Sequence, residues 1–170
     1  RAAVAARSDV AFAIVAALGL GAALTWTQTT DVWTTGAFGD TDDAMRMVQV
    51  RDLLAGQGWF DMAQHRLAPP EGSFMHWSRV VDVPLVALIK FFGLALAPAQ
   101  AEAAARLAFP LLMLAGLYMA VAHVARLFGD RATQIAAVGL AFATGPFLAQ
   151  FVPGRIDHHA PQIVLLMLAS

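Results

Sequence analysis

One short polar segment carries the side chains best suited to chemistry. Residues 154–161 have the sequence GRIDHHAP and lie between two apolar runs. A carboxylate and two imidazoles within three residues are good ligands for a divalent cation, and the i, i+2 spacing of Asp157 and His159 can direct both side chains to one point. The alternative is an ordinary solvated loop between helices. Ionisable residues at membrane helix ends favour the functional interpretation.

A second acidic cluster, formed by Asp40, Asp42 and Asp43, occurs much earlier in the chain. Apolar residues at helical spacing follow it and two glycines end the pattern, which predicts an amphipathic helix over about 41–57. Aspartates at the start of a helix cap free amide groups and complement the helix dipole. One cap needs only one Asp, so both capping and ligand roles remain open for this cluster.

Carboxylates in two loops on the same side of a membrane can converge on one cation. A cation held there suggests an anionic substrate with a lipid tail, and phosphate or pyrophosphate is the natural group, because a metal would neutralise charge on a leaving phosphate. Arg155 could add a second positive charge. His76 and Arg79 could also hold a lipid phosphate, although interfacial anchoring is the commoner use of such a cluster, which includes Trp77.

The composition indicates that these residues belong to a membrane protein. Hydrophobic residues make up 59% of the chain and charged residues only 14%, and the mean hydropathy is +0.63. These values are far from those of a soluble domain of this length. The net charge of -1 leaves no basic footprint for nucleic acid, and the lack of cysteine excludes a disulfide framework or a thiolate metal site.

The fold expected is an all-α polytopic helical bundle with a long, partly helical first loop outside the cytoplasm. The predicted spans are about 10–27, 105–126, 133–152 and an incomplete 162–170, so the chain is expected to be the N-terminal part of a longer protein. The turn between the second and third spans carries two arginines and is predicted to be cytoplasmic, like the N-terminus. A cleaved signal peptide is the alternative for the first span.

Two outer loops follow from this topology, one at about 28–100 and one at 153–161. The apolar stretch 82–97 is predicted to be an interfacial or re-entrant helix, because its core is short, contains Lys90 and would reverse the arginine sidedness if it crossed. Both polar segments then face the same compartment.

This layout resembles the membrane glycosyltransferases of the C superfamily, and within them the catalytic subunit of oligosaccharyltransferase. Asp42, followed by the segment RDLLAG at 51–56, is similar to the bacterial form of the family's first motif. The segment GRIDHH at 154–159 resembles the second motif, which is Asp-x-Asp or Asp-x-His. The order and spacing of the motifs agree with the family over nearly the whole chain.

The resemblance implies that Asp42, Asp157 and His159 bind Mg²⁺ or Mn²⁺, with Asp42 and Asp157 catalytic. It implies a polyprenyl phosphate or pyrophosphate sugar donor and a protein or lipid acceptor, with no nucleic acid. It further implies a bacterial inner membrane location, with the active loops in the periplasm. His158, Arg155, Arg79 and His76 are candidates for the donor phosphate, and Asp40 and Asp43 are secondary acids.

Two other classes remain as alternatives. A membrane transporter or a non-catalytic subunit would place its ionisable residues near the middle of the membrane, whereas here they collect at helix ends. A membrane metallohydrolase would be expected to carry a spaced His-Glu helix motif, which the sequence lacks.

Overall fold

The computed structural model describes residues 2–144 and 149–169, with side chains from residue 9 onward, and this part of the chain is mostly helical. The helices are α1 (Ala2–Leu24), α2 (Trp26–Thr35), α3 (Thr41–Leu54), α4 (Asp82–Phe92), α5 (Pro98–Ala125), α6 (Arg131–Ala143) and α7 (His159–Leu168). The same part contains two short antiparallel strands, β1 (Ala63–Gln64) and β2 (Ser73–Phe74), and two 3-10 turns, Arg79–Val81 and Ala149–Phe151.

The first helix bends instead of ending where the predicted span 10–27 ends. The part of α1 from Asp9 to Leu24 and the following helix α2 are bent by 62° relative to each other. At the break, the hydroxyl of Thr25 donates to the carbonyl of Gly21 at 2.9 Å. Such a bond competes with the helical ladder and promotes bending. The predicted outer loop 28–100 therefore begins with helical residues.

One helix among the described residues, α5, is by itself long and apolar enough to cross a membrane, with 28 residues. The bent pair of α1 and α2 passes the same test when the two helices are taken together as one broken span. The predicted span 105–126 lies in α5 except for its last residue. The helix starts earlier than predicted because Pro98 occupies its first turn, where the missing N–H has no helical partner to lose.

The predicted span 133–152 is only partly covered by described helix. Asp130 caps α6 by accepting the N–H of Ala132 at 2.9 Å, and α6 itself has 13 residues. The Gly145-Pro146 pair expected inside this span lies outside the described residues, and a 3-10 turn follows at 149–151. The predicted incomplete span 162–170 falls largely within α7, a shorter apolar helix.

The two helices expected in the first loop are present as α3 and α4, somewhat shorter than the predicted 41–57 and 82–97. Asp40 is the N-cap of α3, and its carboxylate accepts the N–H of Asp42 at 2.9 Å. The chain leaves α3 through Gly56, whose φ of 103° suits a residue without a Cβ. The cap at Asp40 therefore fixes the start of α3 at the acidic residues.

Two apolar clusters hold the elements together. One lies between α1, α5, α6 and α7 and includes Leu117, Tyr118 and Val138. The other consists of five fully buried side chains from α3, α4, α5 and the loop before α7, and these are Met47, Val50, Leu85, Phe109 and Ile156. The second cluster packs the first acidic segment against the second, and it thereby positions the candidate site.

Candidate functional site

The two acidic segments are in direct contact through Asp43. This side chain is fully buried in the first turn of α3. Its Oδ1 accepts the backbone N–H of Ile156 at 2.8 Å and that of Asp157 at 3.2 Å. The helix that begins after Asp40 is thus bonded to the loop that carries the second motif, although the two are far apart in sequence.

Arg155 lies between the carboxylates of both segments. Its Nη1 is 2.8 Å from Oδ2 of Asp40 and 3.4 Å from Oδ2 of Asp43, and its Nη2 is 2.6 Å from Oδ2 of Asp157. Nη2 also donates to Oε1 of Gln150 at 3.1 Å. We call Asp40, Asp43 and Asp157, together with Arg155, the acidic cluster. It holds three carboxylates and one internal cation.

The charges of the acidic cluster are unevenly solvated. Burial raises the pKa of Asp43, although the N–H of Ile156 and the charge of Arg155 oppose that effect. The N–H of Asp42 and the bond from Arg155 instead hold the pKa of Asp40 below its ordinary value. A buried carboxylate that lacks full compensation favours the approach of further positive charge.

The two histidines of the second motif lie at the edge of the acidic cluster. Asp157 accepts the N–H of His159 on Oδ1 at 2.9 Å, and its Oδ2 is 3.2 Å from Nδ1 of the same exposed histidine. The His158 ring lies 4.4 Å from that of His159 and 5.8 Å from that of Trp77. Burial lowers the pKa of His158, and the neighbouring His159 lowers it further. Nδ1 of His158 is buried and has no hydrogen-bond partner among the described residues.

Asp42, the acid singled out by the family resemblance, is exposed at the start of α3. The bonds to the second motif are made by Asp43, which accepts the N–H of Ile156 and that of Asp157. The sequence contains a signal for this difference. Asp43 shares a helical face with the buried Met47 and Val50, at i+4 and i+7.

A second polar network fixes α3 to the start of α4. Nη1 of Arg46 donates to Oδ1 of Asp82 at 2.8 Å, and both side chains are fully buried. The guanidinium of Arg46 also lies 4.8 Å from the centre of the Trp77 ring. Sequence reasoning missed Arg46 and Asp82, since a single arginine within a helical pattern looks like a solvated residue.

Arg79 and His76, candidates from the sequence for the donor phosphate, differ in burial and in their contacts. The contacts of Arg79 lie within residues 49–82: it donates to Gln49 O at 3.0 Å and to Gln57 Oε1 and Asp61 O, both at 2.7 Å. It is buried there, whereas His76 is exposed and meets Trp77 edge-on at 6.2 Å. Among the described residues, Arg79 forms no hydrogen bond or ion pair with the acidic cluster.

Arg106 connects α5 to the loop before α3 and to the loop before α7. Its guanidinium donates to Gly36 O at 2.9 Å and to Ala37 O, and it stacks 3.8 Å from the centre of the Phe38 ring. Its own carbonyl accepts the N–H of Gly154 at 3.1 Å. This fully buried residue therefore aligns the loop before Asp40 with the loop before Arg155, and no pattern in the sequence marked it for that role.

The resemblance of the two motifs to a glycosyltransferase family is the only family indication. Comparisons of the chain with protein-family models, with curated proteins and with solved structures found no match. Function must therefore be inferred from the side chains themselves. Of the three residues that the resemblance assigns to a metal, Asp157 and His159 are adjacent to each other, and Asp42 lies beside Asp43 on α3.

The donor set suits a divalent cation such as Mg²⁺ or Mn²⁺, which prefers carboxylate oxygens and accepts imidazole. Oδ2 of Asp43 is buried and accepts no hydrogen bond from the residues that the structure describes, a condition that calls for an explanation and that a cation would relieve. Within residues 2–144 and 149–169, no three such side chains already surround one point closely enough to hold a metal. The guanidinium of Arg155 stands between them. The residue types therefore suit a divalent cation, but the guanidinium of Arg155 would have to move away from the carboxylates for the cation to bind.

Proposed function

We propose that this protein is a membrane glycosyltransferase that moves a sugar or oligosaccharide from a polyprenyl phosphate or pyrophosphate donor to a protein or lipid acceptor. The observation that carries the proposal is the pair of bonds from Asp43 to the backbone of Ile156 and Asp157. They join the two motifs of the family resemblance into one site.

The membrane part of the proposal extends what the helices support. The length of α5 and the broken pair α1–α2 favour two crossings, and apolar side chains exposed on α1, such as Phe12, Val15 and Leu24, favour contact with lipid. We place the N-terminus in the cytoplasm and the acidic cluster at the outer surface of a bacterial inner membrane.

Asp43 and Asp157 are the residues proposed to hold Mg²⁺ or Mn²⁺, with Asp40, Asp42 and His159 as further ligands. When bound, the cation would neutralise negative charge that develops on the leaving phosphate. Asp43 has a second task, because its bonds to Ile156 and Asp157 keep both loops in register. His158, whose pKa is lowered by burial, can accept a hydrogen bond from a donor or acceptor group at the site's edge.

The transporter alternative is less well supported. In α5 the ionisable residues lie towards the ends, with Glu102 and Arg106 near the outer end and His123 near the other. The guanidinium of Arg106 is bonded to loop carbonyls instead of facing an ion path. A proton or ion pathway would need such groups near the middle of the membrane.

The test is a donor-dependent transfer assay on the full-length protein, with a polyprenyl-linked sugar donor and added Mn²⁺ or chelator. Wild type is compared with Asp157→Ala and with Glu71→Ala, a matched loss of an exposed acid in the outer segment. We expect transfer to require the metal, to disappear in Asp157→Ala and to persist in Glu71→Ala. Metal-independent transfer, or full activity of folded Asp157→Ala, would refute the proposal.

A further inference from the structure

The guanidinium of Arg155 takes the very oxygens that a cation would need. Its Nη1 contacts Oδ2 of Asp40 at 2.8 Å and Oδ2 of Asp43 at 3.4 Å, while Nη2 contacts Oδ2 of Asp157 at 2.6 Å. Each of the three carboxylates therefore presents one oxygen to the same positively charged group. Arginine is well suited to this because its planar fork carries several donors.

A guanidinium and a divalent cation cannot share these three oxygens. Metal ligands lie at about 2.0–2.6 Å from the ion, so coordinating oxygens must come closer together than they do round an arginine. Repulsion between a divalent cation and a guanidinium a few ångströms away would also be severe at low dielectric. One positive group must leave the centre of the acidic cluster when the other enters.

Arg155 does not form a hydrogen bond with every carboxylate of the acidic cluster, and this observation independently supports a site for another cation. Oδ2 of Asp43 faces Nη1 at 3.4 Å without forming a hydrogen bond, although the side chain is fully buried. Arg155 itself is partly exposed, at 17% of its side chain. Its bond to Oε1 of Gln150 does not involve any carboxylate, so that bond can persist if the carboxylates are given up.

We propose that Arg155 is an internal competitor of the metal: it neutralises Asp40, Asp43 and Asp157 in the metal-free protein and is displaced from them when the divalent cation binds. This inference rests on the proposed function, because it assumes that the acidic cluster is the metal site. The arginine lowers the affinity for the metal and stabilises the empty site.

The first test measures Mn²⁺ binding to the full-length protein in detergent or nanodiscs, by electron paramagnetic resonance or calorimetry. Wild type is compared with Arg155→Gln and with Arg66→Gln, which removes an exposed arginine paired with Asp52 away from the acidic cluster. We expect Arg155→Gln to bind Mn²⁺ about tenfold more tightly, since loss of a nearby unit charge favours the cation. Arg66→Gln should bind like wild type. Equal or weaker binding by Arg155→Gln would overturn the proposal.

A second test needs no variant, so it does not depend on whether Arg155→Gln folds. Phenylglyoxal modification of arginines in wild type is mapped by mass spectrometry with and without Mn²⁺. Displacement predicts a several-fold rise in the reactivity of Arg155 on Mn²⁺ binding, with Arg66 unchanged. Unchanged or lower reactivity of Arg155 under saturating Mn²⁺ would overturn the competitor role while leaving the metal site standing. A wild type and an Arg155→Gln protein that both bind no Mn²⁺ would refute the proposed function itself.

Discussion

Removal of Asp82 is expected to be among the most damaging single changes outside the acidic cluster. Its carboxylate is fully buried and faces two arginines, with Oδ1 at 2.8 Å from Arg46 and Oδ2 at 3.4 Å from Arg79. Asp82→Ala leaves both guanidinium groups buried without their anion. Breaking such a pair from one side costs about 3–5 kcal/mol, because the remaining charge stays desolvated.

The size of this loss can be judged against an exposed pair in the same molecule. Arg51 and Glu102 form a close bidentate pair, at 2.6 and 2.8 Å, but 52% of the arginine side chain is exposed. Exposed pairs contribute about 0–1 kcal/mol, since solvent screens them. The decrease in the free energy of unfolding should therefore be several times smaller for Glu102→Ala than for Asp82→Ala.

The assay is denaturant unfolding of the full-length protein in mixed micelles, with the free energy of unfolding taken by linear extrapolation. Asp82→Asn is included because it keeps the shape and one acceptor, and its loss should fall between the two alanine variants. Equal destabilisation by Asp82→Ala and Glu102→Ala would refute the reasoning. That result would mean that water or other groups compensate the two arginines.

Two other predictions concern the frame of the site. Gly154→Ala should lower the free energy of unfolding by about 1–3 kcal/mol, because φ is 92° and a Cβ would lie 2.9 Å from Val32 Cγ2. Gly56 has φ of 103° but open space around it, so Gly56→Ala should lower the free energy of unfolding by less. Equal losses for the two variants in the same unfolding assay would contradict the predicted clash. The bonds from Asp42 N–H and Arg155 hold the pKa of Asp40 below the ordinary 3.8, so its carboxylate stabilises the fold above that pH and the benefit fades as pH falls further. The difference in thermal midpoint between wild type and Asp40→Ala should therefore be constant from pH 7 to about 4 and shrink below, whereas a difference that grows as the pH falls below 4 would contradict the assignment.

Local patterns predicted much of the helical framework. The cap at Asp40 and the glycines after α3 marked that helix to within a few residues, and Asp82 marks the start of α4 as expected. Caps and turn glycines act over a few residues, so a single sequence contains the information needed. The bend at Thr25 was missed, because the sequence alone does not show whether the Thr25 hydroxyl bonds back to the carbonyl of Gly21.

The contacts within the site were harder to predict than its location. The two acidic segments were expected on the same side, and they do meet, but the roles of Asp42 and Asp43 depend on which face of α3 is buried. One residue along a helix turns the side chain by about 100°, so the packing of Met47 and Val50 decides the matter. Arg106 was not recognised, since its partners are backbone carbonyls and any sequence supplies those.

The most direct test of the central claim asks whether the two acidic segments act as one site. Donor-dependent transfer by the full-length protein is measured for Asp43→Asn, Asp157→Asn and the double variant, with circular dichroism to verify folding. Residues that act as a unit give strongly non-additive losses, so the double variant should be no slower than the slower single variant. If the two single losses multiply in the double variant, the segments act independently, and the account of a shared metal site is contradicted.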